Sequence, residues 1–169
     1  MHSLEEQIFC ANRLKAIAEK VGFTLWQLQE LEGVLAQYYV LIAQAEKGMG
    51  MEAGQVLTEK ALSKTFGSTI TNLNKEKLLP IEFEERFKAL LLERNWLVHN
   101  SKASSRSAVY DDLVCQKFLD RLDLIADETL SLIKTVGKLV ETYVISHNVS
   151  LEFINEMAAK ILKEWHLTK

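Results

Sequence analysis

Three side chains able to take part in chemistry stand close together in this chain: Arg94, Asn95 and His99. They sit within positions 90–101, an otherwise strongly apolar run. An imidazole with an ordinary pKa of about 6.5 accepts or donates a proton around neutral pH. A guanidinium is permanently charged, and its planar fork of donors matches phosphate oxygens. An amide beside them can orient the imidazole or donate to growing negative charge. Residues five apart on a straight helix are turned by about 140°, so Arg94 and His99 point different ways. A distorted last turn would narrow that gap. A second copy across a two-fold axis would close it, and the spacing favours such a two-chain site.

Other chemistries find no footing. The chain has no Gly-rich phosphate loop, no GxSxG elbow, no His-Glu-x-x-His and no Cys/His ligand cluster. Cys10 and Cys115 lack metal spacing and read as inert thiols in a reducing cytoplasm. Neither a metal nor another cofactor is expected. His2 and His166 lie near the termini, and His147 reads as a helix-end residue.

The elements that must position Arg94 and His99 are helical. One proline and seven glycines in 169 residues leave few helix breakers, and no stretch alternates like a strand. Hydrophobic content of 48% against 25% charged residues suits a single globular domain over 1–169, an all-α up-and-down bundle of about five to six helices. The densest apolar run, 34–43, is too short to span a bilayer, and the N-terminus lacks a signal-peptide pattern. A cytoplasmic protein with no membrane partner is the expectation.

In order, a first helix is expected over 3–20, its stripe made by Leu4, Ile8, Ala11, Leu14, Ala18 and Val21, ending at Gly22. Thr24 and Gln27 read as a capping box, and Phe23 and Leu28 as a staple, for a second helix to about 47. A third runs to about 77 after the glycines of 48–54. Pro80, with Glu82, Glu84 and Glu85, opens the fourth. Its apolar arc of Phe83, Phe87, Leu90, Leu91, Leu97 and Val98 has Arg94 in the middle, and Trp96 reads as core or interface. Serine-rich 100–107 reads as a polar loop, 108–146 as a long helix that bends or extends into a dimer, and Ser150 as the cap of a last helix with Trp165 on its stripe.

The chain's formal charge is −3, yet between Arg86 and Arg106 five basic residues (Arg86, Lys88, Arg94, Lys102, Arg106) face one acid, Glu93, a net of +4. Such a patch can guide a polyanion to one place on an acidic protein.

Arg94 to His99 resembles the Arg-x(4–6)-His motif of the HEPN family, including the polar residue, here Asn95, that often follows the arginine. The context is similar as well: an all-helical domain of this size with the motif near the end of an internal helix. The resemblance implies a metal-independent endoribonuclease that works as a homodimer, its two motifs facing one cleft. It implies a toxin or phage-defence setting, with RNA as substrate and an antitoxin or regulatory protein as a further partner. Arg94, Asn95 and His99 would then be catalytic, and Lys102 and Arg106 would hold flanking phosphates. Val98 stands where the nucleotidyltransferase-paired branch usually has tyrosine, which argues against that branch.

Two other readings stay open. A buried arginine also serves as a structural ion pair in a catalytically silent adaptor. The basic patch also suits an RNA- or nucleotide-binding domain that does not cleave.

Overall fold

The computed structural model describes residues 3–167, with side chains from Ser3 to Glu164. His2 lies outside the described residues, and so do the side chains of Trp165 and His166. The described chain is all-helical, with no strand: α1 Leu4–Tyr39, a π turn Val40–Gln44, α2 Met51–Leu62, α3 Phe66–Lys75, α4 Ile81–Ala108, α5 Asp112–Ser146 and α6 Leu151–Leu167. No helix among the described residues is long and apolar enough to cross a membrane. The chain divides into two compact units, Met1–Lys134 and Thr135–Lys169, with the boundary inside α5.

In the first unit, one face of α1 (Leu28, Leu31, Leu35) is fully buried, together with Leu73 of α3, Phe87 of α4 and Leu122 and Leu132 of α5. At about 25 cal/mol per Å² of apolar surface, this burial is the main favourable term. Two threonine hydroxyls inside it are satisfied locally, while Gln27 Oε1 and Asn74 Oδ1 are buried without a hydrogen-bond partner among the described residues. The hydroxyl of Thr24 donates to the Lys20 carbonyl at 2.9 Å, and that of Thr129 to the Ile125 carbonyl at 2.7 Å.

Thr24 therefore caps nothing. α1 runs unbroken through Gly22, and the staple residue Phe23 is exposed, so the two expected N-terminal helices are one. Gly22 has an ordinary negative φ and gives the helix no reason to stop. The expected stripe is also displaced. Ile17 is buried, while Leu4 is 72% exposed and Ile8 and Leu14 lie open.

Where the sequence suggested one helix up to 77, Ser63–Thr65 interrupts it. Thr65 caps α3, its hydroxyl accepting the Ser68 amide at 3.2 Å. Gly67 in the first turn of α3 lets it approach α4 closely: a Cβ there would meet Leu91 at 3.3 Å. α3 closes with Lys77 in the left-handed region, φ 55°, and the Leu78 amide reaching back to the Leu73 carbonyl at 2.9 Å.

Positions 100–107, expected as a loop, are the last two turns of α4. Three of their four serines bond back onto the helix: Ser101 to the Leu97 carbonyl, Ser104 to that of Asn100 and Ser105 to that of Lys102. Ser101 and Ala108 are buried, so this end of α4 is held by packing. α4 opens after Pro80, with Glu82 and Glu84 in its first turn. A short turn leads to α5, where Asp111 accepts the Val114 amide at 2.9 Å.

α4 and α5 run antiparallel in a constant register. Arg86 grips Glu128 through Nε and Nη2 at 2.7 and 2.9 Å, and Arg121 grips Glu93 likewise at 2.7 and 3.1 Å. Trp96 packs on Phe118 with ring centroids 5.6 Å apart, and Arg121 lies 3.6 Å above the Trp96 ring. The N-terminal part of α1 is tied to α5 by Arg13–Asp112 and Lys20–Asp123.

In the second unit, α5 ends through Asn148 at φ 63°, with the Val149 amide on the Val144 carbonyl at 3.1 Å. His147 sits at that helix end, its Nδ1 2.8 Å from the Tyr143 carbonyl oxygen. α6 begins as expected, with the Ser150 hydroxyl accepting the Phe153 amide at 3.1 Å. Leu151, Phe153, Ile161 and Leu162 of α6 are exposed.

Candidate active site

α4 is a regular α-helix across the whole motif, with no distortion between Arg94 and His99. The two side chains therefore keep their separation of about 140° around the axis. Arg94 leans toward α1, and His99 points to solvent.

The His99 face is open. Asn95, His99, Lys102 and Arg106 follow one another at steps of four, three and four, within an arc of about 60°. All four are exposed, and His99 has no hydrogen-bond partner among the described residues. Leu92, 71% exposed, and Val98, 44% exposed, flank this stripe on either side. Val98 thus lies outside the apolar arc expected for it.

Arg94 is not sunk in the middle of a core face. Its side chain is 26% exposed, and its Nε donates to Glu32 Oε1 of α1 at 2.9 Å. Nη1 reaches Asn95 Oδ1 at 3.5 Å, the outer limit of a hydrogen bond. Arg94 and Asn95 line a cleft of about 390 Å³ together with Glu32, Leu91, Ser63, Lys64, Thr65, Phe66 and Gly67. Lys64 is exposed and sits 5.5 Å from the Tyr39 ring centroid. The positive end of the α3 dipole lies on the same wall.

The basic patch is thinner than its composition suggests. Arg86 is engaged by Glu128, which holds its guanidinium pKa above the ordinary value, and Lys88 lies 3.6 Å from Glu84. Arg94 has Glu32. Lys102 and Arg106 have no ion-pair partner among the described residues, so they are the cations of the patch left open to a polyanion.

The sequence placed Asn95 and His99 on one helix face but put Lys102 and Arg106 in a loop rather than on the same stripe, and it gave no sign of Glu32 or Lys64. They lie 62 and 30 positions before Arg94, and nothing local to either marks the pairing or the shared cleft. No group of three or more His, Cys, Asp or Glu side chains placed to hold a metal ion occurs among the described residues. Cys10 is half-buried and Cys115 buried, both as free thiols.

No family model, no curated protein and no solved structure matches this chain.

Proposed function

We propose that the protein is a metal-independent endoribonuclease, similar to the HEPN type and working as a homodimer. The observation that carries the reading is the open stripe of α4, on which His99 stands between Asn95 and the unpaired cations Lys102 and Arg106. This face presents a proton acceptor, an amide and two phosphate-binding charges to one strand of RNA.

The reaction that suits these groups uses the substrate's own 2′-hydroxyl. The hydroxyl gives its proton to His99 as its oxygen bonds to the adjacent phosphorus. The P–O5′ bond breaks, and the imidazolium returns a proton to O5′. The products are a 2′,3′-cyclic phosphate and a 5′-hydroxyl. Arg94 holds the phosphoryl oxygens as charge builds on them. Because Arg94 and His99 diverge on one helix, the arginine of one copy serves the histidine of the other. Leu92 and Val98 supply exposed apolar surface beside the stripe for that pairing. The setting that goes with this reading is a cytoplasmic toxin or phage-defence effector, restrained by an antitoxin or regulatory protein.

The test is incubation of the purified protein with RNA in EDTA, followed by end-group analysis. Cyclic phosphate ends are expected, with Arg94→Ala and His99→Ala each at least about 100-fold slower. Cleavage that persists in both variants would sink the site assignment.

A second reading has its own observation. Arg94 pairs with Glu32 between α1 and α4, as a purely structural arginine would, and Leu4, Ile8 and Trp26 leave a face of α1 uncovered. That combination suits a non-catalytic interaction module. A wild-type protein that neither binds nor cleaves RNA, yet forms stable complexes, decides for it. Binding without cleavage decides for an RNA- or nucleotide-binding domain.

A further inference from the structure

Three arginines of the first unit bridge helices by pairing with a glutamate, and they do so in two different ways. Arg86 and Arg121 each present Nε and Nη2 to both oxygens of a carboxylate, so the recognition edge of the guanidinium is filled. Arg94 engages Glu32 through Nε alone. Its Nη2 has no partner among the described residues, and its Nη1 has only the 3.5 Å contact with Asn95. A guanidinium has five N–H donors, so most of Arg94's remain available.

The side chains around those donors point to an anion. The cleft beside Arg94 is also lined by Lys64 and Ser63, a second cation and a hydroxyl. The charges on its wall are two positive, Arg94 and Lys64, against one negative, Glu32. Glu32 is itself only 25% exposed and is fixed on the long helix α1. A carboxylate that takes Nε and leaves both terminal nitrogens free sets the plane of the guanidinium without occupying its outer edge.

We propose that Glu32 is a positioning residue for Arg94, and that Lys64 is the second cation of the same phosphate subsite, which takes the oxygens of an RNA phosphodiester. The proposal rests on the endoribonuclease reading for its substrate, and adds the two residues that complete the arginine's half of the site. Glu32 touches no substrate atom; it acts by holding Arg94. Its negative charge opposes phosphate binding, so its removal separates affinity from turnover.

The experiment measures cleavage of a single-stranded RNA, and binding of the same sequence with every 2′-hydroxyl methylated, which blocks the attack. Full-length wild type is compared with Glu32→Ala, Glu32→Gln, Lys64→Ala and Arg94→Ala, with melting temperatures alongside. Glu32→Ala is expected to lower kcat about tenfold while KM, and Kd for the methylated strand, stay at or below the wild-type value. Glu32→Gln, whose amide oxygen still accepts from Nε, is expected to recover most of kcat. Lys64→Ala is expected to raise KM and Kd about three- to tenfold with kcat kept. The proposal is overturned if wild type cleaves and these variants match it, or if Glu32→Ala loses kcat and affinity together in step with its melting temperature. Binding that depends on Lys64 and Arg94, with no cleavage by wild type, supports the phosphate subsite and removes the nuclease reading. Failure of wild type to bind the methylated strand or to cleave RNA overturns both.

Discussion

Arg94 and His99 leave one unbroken helix in different directions, the first held against Glu32 of α1 and the second free in solvent. On the endoribonuclease reading, the site takes the two groups from two chains. Mixing two inactive variants tests this directly. In a heterodimer of Arg94→Ala with His99→Ala, one composite site has lost both groups and the other has kept both. Random exchange of subunits is expected to restore about a quarter of wild-type activity. A mixture that stays as inactive as its components rules out the shared site.

Lys102 and Arg106 lie on the His99 stripe without carboxylate partners among the described residues, so their contribution to RNA binding is expected to be mainly electrostatic. Each contact to single-stranded RNA adds about 0.7 to the slope of log K against log salt. Lys102→Ala and Arg106→Ala should each reduce the slope by about that amount, across RNA sequences alike. Lys88→Ala is expected to change it less, because Lys88 already faces Glu84. Unchanged slopes in the first two variants would show that RNA does not run along this face.

The chain shows why some of this was legible and some was not. The starts of α4 and α6 are local events, set by Pro80 with its acidic first turn and by the Ser150 hydroxyl, so their residues announce them. The signals at Gly22, Thr24 and Phe23 are equally local, but α1 buries residues on both sides of them, Ile17 and Leu28, and Thr24 found a carbonyl one turn back. The serines of 100–107 misled for the same reason: Ser101, Ser104 and Ser105 satisfy their hydroxyls on the helix, while Ser101 and Ala108 meet the core. The motif of Arg94 and His99 was visible because it lies on one helix. Glu32 and Lys64 were invisible because they reach Arg94's cleft only through folding.

Lys77 ends α3 in a left-handed conformation that costs an L-residue about 1 kcal/mol and a glycine nothing comparable. Lys77→Gly is expected to stabilise the fold by about 0.5–1 kcal/mol, raising Tm by about 2 °C. Asn148→Gly should gain less, since asparagine tolerates this region better. A lowered Tm for Lys77→Gly would mean that the lysine side chain contributes contacts outweighing the strain.

Tyr38 and Tyr39 tie the end of α1 to the connection between α3 and α4, donating to the Leu78 carbonyl and to Glu76 Oε1, each at 2.9 Å. Burial raises the Tyr38 phenol above its usual 10.0, and for Tyr39 the hydrogen bond to Glu76 does so first, with burial adding to it. The folded state therefore holds protons that the unfolded chain releases near pH 10.0. Their stabilisation is complete below that pH and is lost as pH rises through the folded values. Denaturant midpoints are expected to fall between pH 9 and about 11, and Tyr39→Phe should flatten the fall. An equal fall in Tyr39→Phe would assign the alkaline loss to other groups.

The pairing of α4 with α5 also rules out a specific error. Sliding one helix past the other by seven residues would keep apolar faces together, because seven residues are close to two full turns. In one direction that slip sets Arg86 against Arg121, and in the other it sets Glu93 against Glu128. Both put like charges where the native alignment has a forked bridge. The four residues act as a key cut for one alignment, and the height at which α4 presents its outward stripe beside α5 is fixed by that key.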